Sequence, residues 1–207
     1  MVPAVARPLV SVVTPTWQRH DLLLGRCVPS VLAQTYLRVE HVIVSDGPDQ
    51  ALMDRAAAAA DEWRGHRVSF RYLAEHDPAA RWGHRARVFG AAVAHGELIA
   101  YLDDDNAFRP DHVAKLAAAL EENPGAGFAY SQILMQGNGM SYVVGVPPPS
   151  YGQIDTSAIM HRREILNLAQ WRDEGQPTID WDITERWLQA GVGWAHVPEV
   201  TADYYFT

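Results

Sequence analysis

Apolar, β-branched runs recur along the first half of the chain at "LVSVVT" (9–14), "VEHVIVS" (39–45), "VSFRYL" (68–73) and "ELIAYL" (97–102), with segments of helical character between them. The first of these segments, "HDLLLGRCVPSVLAQT", places Leu23, Leu24, Val28, Val31 and Leu32 at near-helical spacing, with Pro29 expected to bend or interrupt it. "QALMDRAAAAADEW" is Ala-rich and reads as helix, and "GHRARVFGAAVAHG" repeats Val88, Ala91, Ala92 and Val93 before a terminating Gly96. This alternation predicts a β-α-β-α-β-α-β half up to about residue 105, with a largely parallel sheet carrying helices on both faces. Beyond it "GFAYSQILM" reads as a strand, "QGNGMSYVVGVPPPSYGQ" as a loop with a short strand inside it, and "DWDITERWLQAG" as a helix followed by a terminal strand. Gly137, Gly139 and the run Pro147 to Pro149 are turn and extended-chain signals, with too little chain after them for a second core. One compact α/β domain over 1–207 is therefore expected, and its loop 136–153 is expected to move until a ligand orders it.

Composition narrows the partners. A net charge of −8 argues against nonspecific nucleic-acid binding, which needs clustered Lys and Arg against phosphates. The single cysteine, Cys27, excludes an intrachain disulfide framework, the opening MVPAVARPLV lacks the parts of a signal peptide, and no apolar run reaches the length of a membrane span. A cytoplasmic protein with no transmembrane segment is the expectation.

In open α/β sheets, ligands bind outside the carboxyl ends of the strands. Three such ends carry polar sequence: "TPTWQR" (14–19), "SDGPD" (45–49) and "DDDN" (103–106). No Gly-rich dinucleotide or P-loop pattern follows the first strand, so a bound phosphate would need a cation and arginines. The run Asp103, Asp104, Asp105 costs stability through mutual repulsion unless something positive sits against it, and a divalent cation suits it. Its plainer reading, a charge feeding the start of the helix after Pro110, is already met by Asp111. Asp46 before Gly47 is also a common turn pair, and Arg81, Arg85 and Arg87 also read as the solvated start of a helix. Asp182 with Glu185 looks like a capping box, which leaves Asp180 just outside the helix without a capping role. Trp181 and Trp187 offer rings for stacking on a ligand, although Trp187 falls at core spacing from Ile183, and His196 is left out of the metal set as a structural histidine.

Taken in order, "TPTWQR", "SDGP", "ARV" (86–88), "DDDN" and "ID" (179–180) resemble the motifs of glycosyltransferase family 2, the inverting GT-A enzymes that use nucleotide-diphosphate sugars. The resemblance covers nearly the whole chain. It departs from the family pattern at Gln18, Ser45, Val88 and Ile179. It implies a GT-A-type fold, a Rossmann-like mixed sheet with a nucleotide half at about 1–106 and an acceptor half at about 107–207. It also implies that Thr14, Pro15, Thr16 and Asp46 receive the nucleobase, that Arg87 lies near the ribose and diphosphate, that Asp103 or Asp104 reaches the ribose, and that Asp105 binds Mn²⁺ or Mg²⁺. Asp180 is then the general base that deprotonates an acceptor hydroxyl, and the donor is a nucleotide-diphosphate sugar, with a UDP-sugar favoured. Two other classes share parts of this pattern: a sugar-nucleotide nucleotidyltransferase, whose Gly-rich loop is missing from "TPTWQRHD", and a non-catalytic sugar-nucleotide or glycan-binding module.

Overall fold

The computed structural model describes residues 7–78, 83–172 and 178–206. Its first half follows the alternation closely: β1 (Val10–Thr16), β2 (Val39–Ser45), β3 (Arg67–Tyr72) and β4 (Leu98–Tyr101), with α3 (Gln50–Ala59) and α4 (His84–Val93) in the second and third crossovers. In the first crossover the helical run breaks into α1 (His20–Leu22), a π segment (Leu23–Cys27) and α2 (Val28–Leu32), with Pro29 in the first turn of α2. Proline lacks the N–H that would bond back one turn, and the wider π turn lies immediately ahead of it.

β1 pairs in parallel with β2 from Val10↔Val39 to Thr16↔Ser45, and with β4 only from Val10↔Leu98 to Val13↔Tyr101. The last residues of β1 therefore run past the end of β4, and a cleft opens there. Successive residues of β1 meet opposite layers, as a strand requires. A Cβ built on Gly90 of α4 would fall 2.5 Å from Val13 Cγ1, so only glycine lets α4 lie this close to β1, while Thr14 faces Cys27 and His41 on the other side.

The second half departs further from expectation. Among the described residues the sheet runs β3-β2-β1-β4-β8-β6-β9-β5, with β7 paired to β6. The added strands are β5 (Ala107–Phe108), β6 (Ala126–Gly137), β7 (Met140–Val144), β8 (Ile159–Arg162) and β9 (Gly193–Tyr205), and the helices are α5 (His112–Glu122) and α6 (Ile179–Gln189). β6 is parallel to β9 and antiparallel to β7 and β8, which makes the sheet mixed. The region read as a loop with a short strand inside it holds that strand as β7, paired with the end of β6 in a hairpin that turns at Asn138 and Gly139, both with positive φ. β8 was not foreseen, because four residues between two 3₁₀ turns carry no readable period. The buried apolar side chains form one cluster from Val10 in β1 to Ala202 in β9, with Trp187 of α6 fully buried within it.

Candidate functional site

The cleft beyond the ends of β1, β2 and β4 has a volume of about 760 Å³, and Pro15, Thr16, Asp46, Arg87, Asp103, Asp104, Asp105 and Asp180 all line it. Thr14 does not. Its hydroxyl is fully buried against His41 Nε2 (2.8 Å) and Cys27 Sγ (3.6 Å), so its side chain belongs to the core. Thr14 and Thr16 share a face of β1 and both lie beyond the last β1–β4 pair, Val13↔Tyr101, but Thr14 is covered by Cys27 and His41 whereas Thr16, the last residue of the strand, reaches the cleft.

Backbone and side-chain bonds tie the three strand ends together. The Asp46 N–H donates to the Thr16 carbonyl (2.9 Å), and Thr16 Oγ1 donates to Asp104 Oδ2 (2.7 Å). His76 Nδ1 lies 2.9 Å from Asp46 Oδ2, and the His76 ring stacks on Trp17 at 4.1 Å and 4°. The other carboxylate oxygen of Asp46, Oδ1, is buried without a protein partner. A buried acceptor of this kind is costly unless a donor reaches it.

Arginines face the acidic run. Arg19 Nη1 lies 3.2 Å from Asp104 Oδ1 and Nη2 lies 2.7 Å from Asp105 Oδ2. Arg87, itself buried and with its guanidinium 5.3 Å from the Trp171 ring centre, pairs with Asp103. Burial, reinforced by its two neighbouring carboxylates, pushes Asp104 up to about 6 despite Thr16 and Arg19.

On the opposite wall Asp180 is the second residue of α6, inside the helix and not just outside it; its Oδ1 accepts from the Trp181 N–H at 2.8 Å. Burial is the main cause that pushes Asp180 up to about 6, with Arg87 opposing the rise and Asp103 adding to it. Asp155 also lines the cleft, and sequence reading missed it. It caps the 3₁₀ turn Thr156–Ala158 by accepting from the Ser157 N–H (2.8 Å), and burial together with Asp180 and Asp103 pushes it up to about 7. The Asp-Thr-Ser turn was its only local signal. Arg19, Trp17 and His76 were likewise missed as site residues, since each acts across elements distant in the chain.

Several plainer readings change. Asp182 is no capping-box partner of Glu185: it accepts from Arg172 Nη2 (2.9 Å) and Arg186 Nη2 (2.7 Å), which outweigh burial and hold its carboxyl below the usual range. Asp111 sits at the start of α5 without a side-chain cap and pairs with Lys115 at 2.6 Å. Arg85 pairs with Asp77 at 3.5 Å, and Arg81 lies outside the described residues. Trp181 packs against the core, and His196 bonds the Gly145 carbonyl through Nε2 (2.7 Å), away from the acidic run.

Among the described residues no group of three His, Cys, Asp or Glu side chains converges as a ready metal cage. Asp104 and Asp105 nonetheless fit a hard cation that takes few protein ligands, because both are carboxylates and both converge on one positive group, the guanidinium of Arg19.

The sheet order and the placement of the cleft define a GT-A-type fold. Solved structures that share it include S. aureus TarS 1-349 in complex with UDP-GlcNAc, with a TM-score of 0.73 at 15% identity over 96% of this chain and 59% of that one, and the mannosyltransferase PcManGT from Pyrobaculum calidifontis in complex with GDP-Man and Mn²⁺, with a TM-score of 0.72 at 16% identity over 96% and 57%. The chain belongs to glycosyl transferase family 2, whose family model matches residues 11–174. Relatives include an N-acetylglucosaminyltransferase of Rhizobium leguminosarum bv. viciae, 30% identical over 61% of this chain and 28% of that protein. Protein CgeD of Bacillus subtilis is 24% identical over 93% of this chain and 46% of its own length. The chain thus spans less than half of either relative. No helix among the described residues is long and apolar enough to cross a membrane.

Proposed function

We propose that the protein transfers a sugar from a nucleotide-diphosphate donor to an acceptor hydroxyl with inversion at the anomeric carbon. The observation that carries the reading is Asp180, a partly buried carboxylate on the wall of the same cleft as the acidic run, with its affinity for a proton raised to about 6. Such a group is ionised at neutral pH and basic enough to accept a proton as a hydroxyl attacks. In the reaction the acceptor oxygen forms a bond to the anomeric carbon, its proton passes to Asp180, and the bond from that carbon to the diphosphate oxygen breaks with its electron pair leaving on the diphosphate. Attack and departure on opposite faces invert the centre.

At the nucleobase end, the buried Oδ1 of Asp46 accepts a ring N–H, which uracil carries at N3 and guanine at N1. His76 holds the other oxygen of the same carboxylate, and the ring of Trp17 offers a stacking surface. A UDP-sugar is the favoured donor. Arg87, anchored by Asp103, turns positive charge toward the diphosphate, and Asp103 or Asp104 takes the ribose hydroxyls. Asp105, with Asp104 beside it, would hold Mn²⁺ or Mg²⁺, and the cation supplies charge neutralisation for the departing diphosphate. The test is release of nucleoside diphosphate from a panel of UDP- and GDP-sugars with Mn²⁺ present and then chelated, with the product anomer read by NMR. Donor binding without any release, across a broad acceptor panel, would favour a binding module instead.

A further inference from the structure

The acidic pair at the end of β4 has its own cation, and it comes from the exit of β1. One guanidinium bridges two adjacent carboxylates: Arg19 Nη1 reaches Asp104 Oδ1 at 3.2 Å and Nη2 reaches Asp105 Oδ2 at 2.7 Å. Each acid is also fixed independently. Thr16 Oγ1 donates to the second oxygen of Asp104 at 2.7 Å, and Arg26 Nη1 donates to the backbone carbonyl of Asp105 at 2.6 Å while its guanidinium lies 3.9 Å from the Tyr205 ring centre. Gln18, directly before Arg19, takes a left-handed φ of 54°, a turn at the end of β1 just where the chain leaves the strand. The two acids are buried, whereas the Arg19 side chain is 40% exposed. The acids are thus held from within the fold, and the arginine meets them from the solvent side.

Resting on the nucleotide-sugar reading above, we infer that Arg19 is a displaceable counter-cation: a divalent cation that takes Asp104 and Asp105 must expel its guanidinium, which then turns to the donor's diphosphate. Arg19 is in this sense a positioning residue that couples the binding of metal and donor. Charge balance supports the coupling. Asp103, Asp104 and Asp105 stand against Arg19 and Arg87, three negative groups against two positive. A divalent cation entering alone drives the cluster positive, a diphosphate entering alone drives it further negative, and the two entering together nearly cancel. The planar fork of a guanidinium suits both of its stations, since it pairs with carboxylate and phosphate oxygens by the same geometry. Coupling of this kind is reciprocal, so the metal strengthens nucleotide binding by the factor by which the nucleotide strengthens metal binding.

The experiment measures Mn²⁺ binding to the full chain by the electron paramagnetic resonance signal of free Mn²⁺, with and without UDP, for the native protein, Arg19→Gln and Arg19→Lys. Removing a positive charge within contact distance of the two ligands should let Arg19→Gln bind Mn²⁺ alone about tenfold more tightly than the native chain. The same variant should gain less from UDP, because the group that moves to the diphosphate is missing. Arg19→Lys, which keeps the charge but cannot bridge both acids in one plane, should fall between them. Equal Mn²⁺ affinity and equal enhancement by UDP in all three proteins would overturn the role of Arg19 while leaving the metal reading intact. Failure of the native chain and both variants to bind Mn²⁺ even with UDP would overturn the metal reading and this inference with it. If Arg19→Gln does not fold by circular dichroism, Arg19→Lys alone decides: Mn²⁺ binding no tighter than in the native chain refutes the displacement.

Discussion

The hydroxyl of Thr16 donates to Asp104 Oδ2 at 2.7 Å, joining the end of β1 to the end of β4 across the floor of the cleft. Through this bond the first motif of the chain sets the orientation of the acidic run. Thr16→Val keeps the β-branched shape that suits a strand and removes only the donor, leaving a buried carboxylate oxygen short of one partner. The expected result is a loss of about 1 kcal/mol in donor binding, or roughly fivefold in Kd, with the fold retained. Isothermal titration with UDP and Mn²⁺ checks it, and unchanged affinity would show that Asp104 needs no such anchor.

Asp180→Asn preserves volume but cannot take a proton near neutrality, so turnover should fall on the order of 10²–10⁴-fold while donor affinity barely moves. A carboxylate acting as general base works only when ionised. With Asp180 pushed up to about 6, single-turnover rate should rise about tenfold per pH unit below that value and level off above it. A profile flat from pH 5 to 8 would remove Asp180 from the role.

Asp182 lies two residues further on and should behave differently. Asp182→Asn leaves Arg172 and Arg186 without their shared carboxylate, so stability should drop by about 1–3 kcal/mol while the single-turnover rate stays near native. The pH dependence follows from a carboxyl held below its ordinary value of 3.8. Its contribution is complete above that unfolded-state value and is lost as pH falls through the lower native one, so the gap in unfolding free energy between native and variant should narrow in acid. Urea denaturation at pH 7 and pH 3 measures both arms.

Gly83→Ala tests how tightly α4 is seated. Gly83 precedes the helix with φ at 66°, and a Cβ there would fall 2.7 Å from Pro15 Cβ. The Gly83 carbonyl also accepts from the Arg87 N–H, so relieving the clash moves the first turn that carries Arg87. Stability should fall by about 1–3 kcal/mol, and donor affinity should fall with it. Native affinity in a destabilised variant would separate Arg87 from donor binding.

Much of the first half of the chain was legible because its signals are local. β-branched runs bounded by helical segments mark buried parallel strands, and the strand-end rule put Thr16, Asp46 and the three aspartates on one edge before any contact was known. Asp180 was legible as a carboxylate near a helix start, although its position inside the first turn was not.

What tertiary structure decided lies mostly in pairings across elements. Thr14 and Thr16 are indistinguishable by type and strand face. They part only through their partners from other segments: Cys27 and His41 cover Thr14, whereas Thr16, at the end of β1, meets Asp104 at the cleft. Asp182 looked like a helix cap until Arg172, ten residues earlier, and Arg186, one turn later, met at its two oxygens. Asp155 and Arg19 had no periodic signal at all, because the field on a carboxylate or a guanidinium depends on charges that the fold brings near. By itself the sequence determined the alternation of strand and helix and the polar strand ends, since period and side-chain type act over a few residues. The partner of each charge was decided only when the sheet order brought distant segments within hydrogen-bond reach.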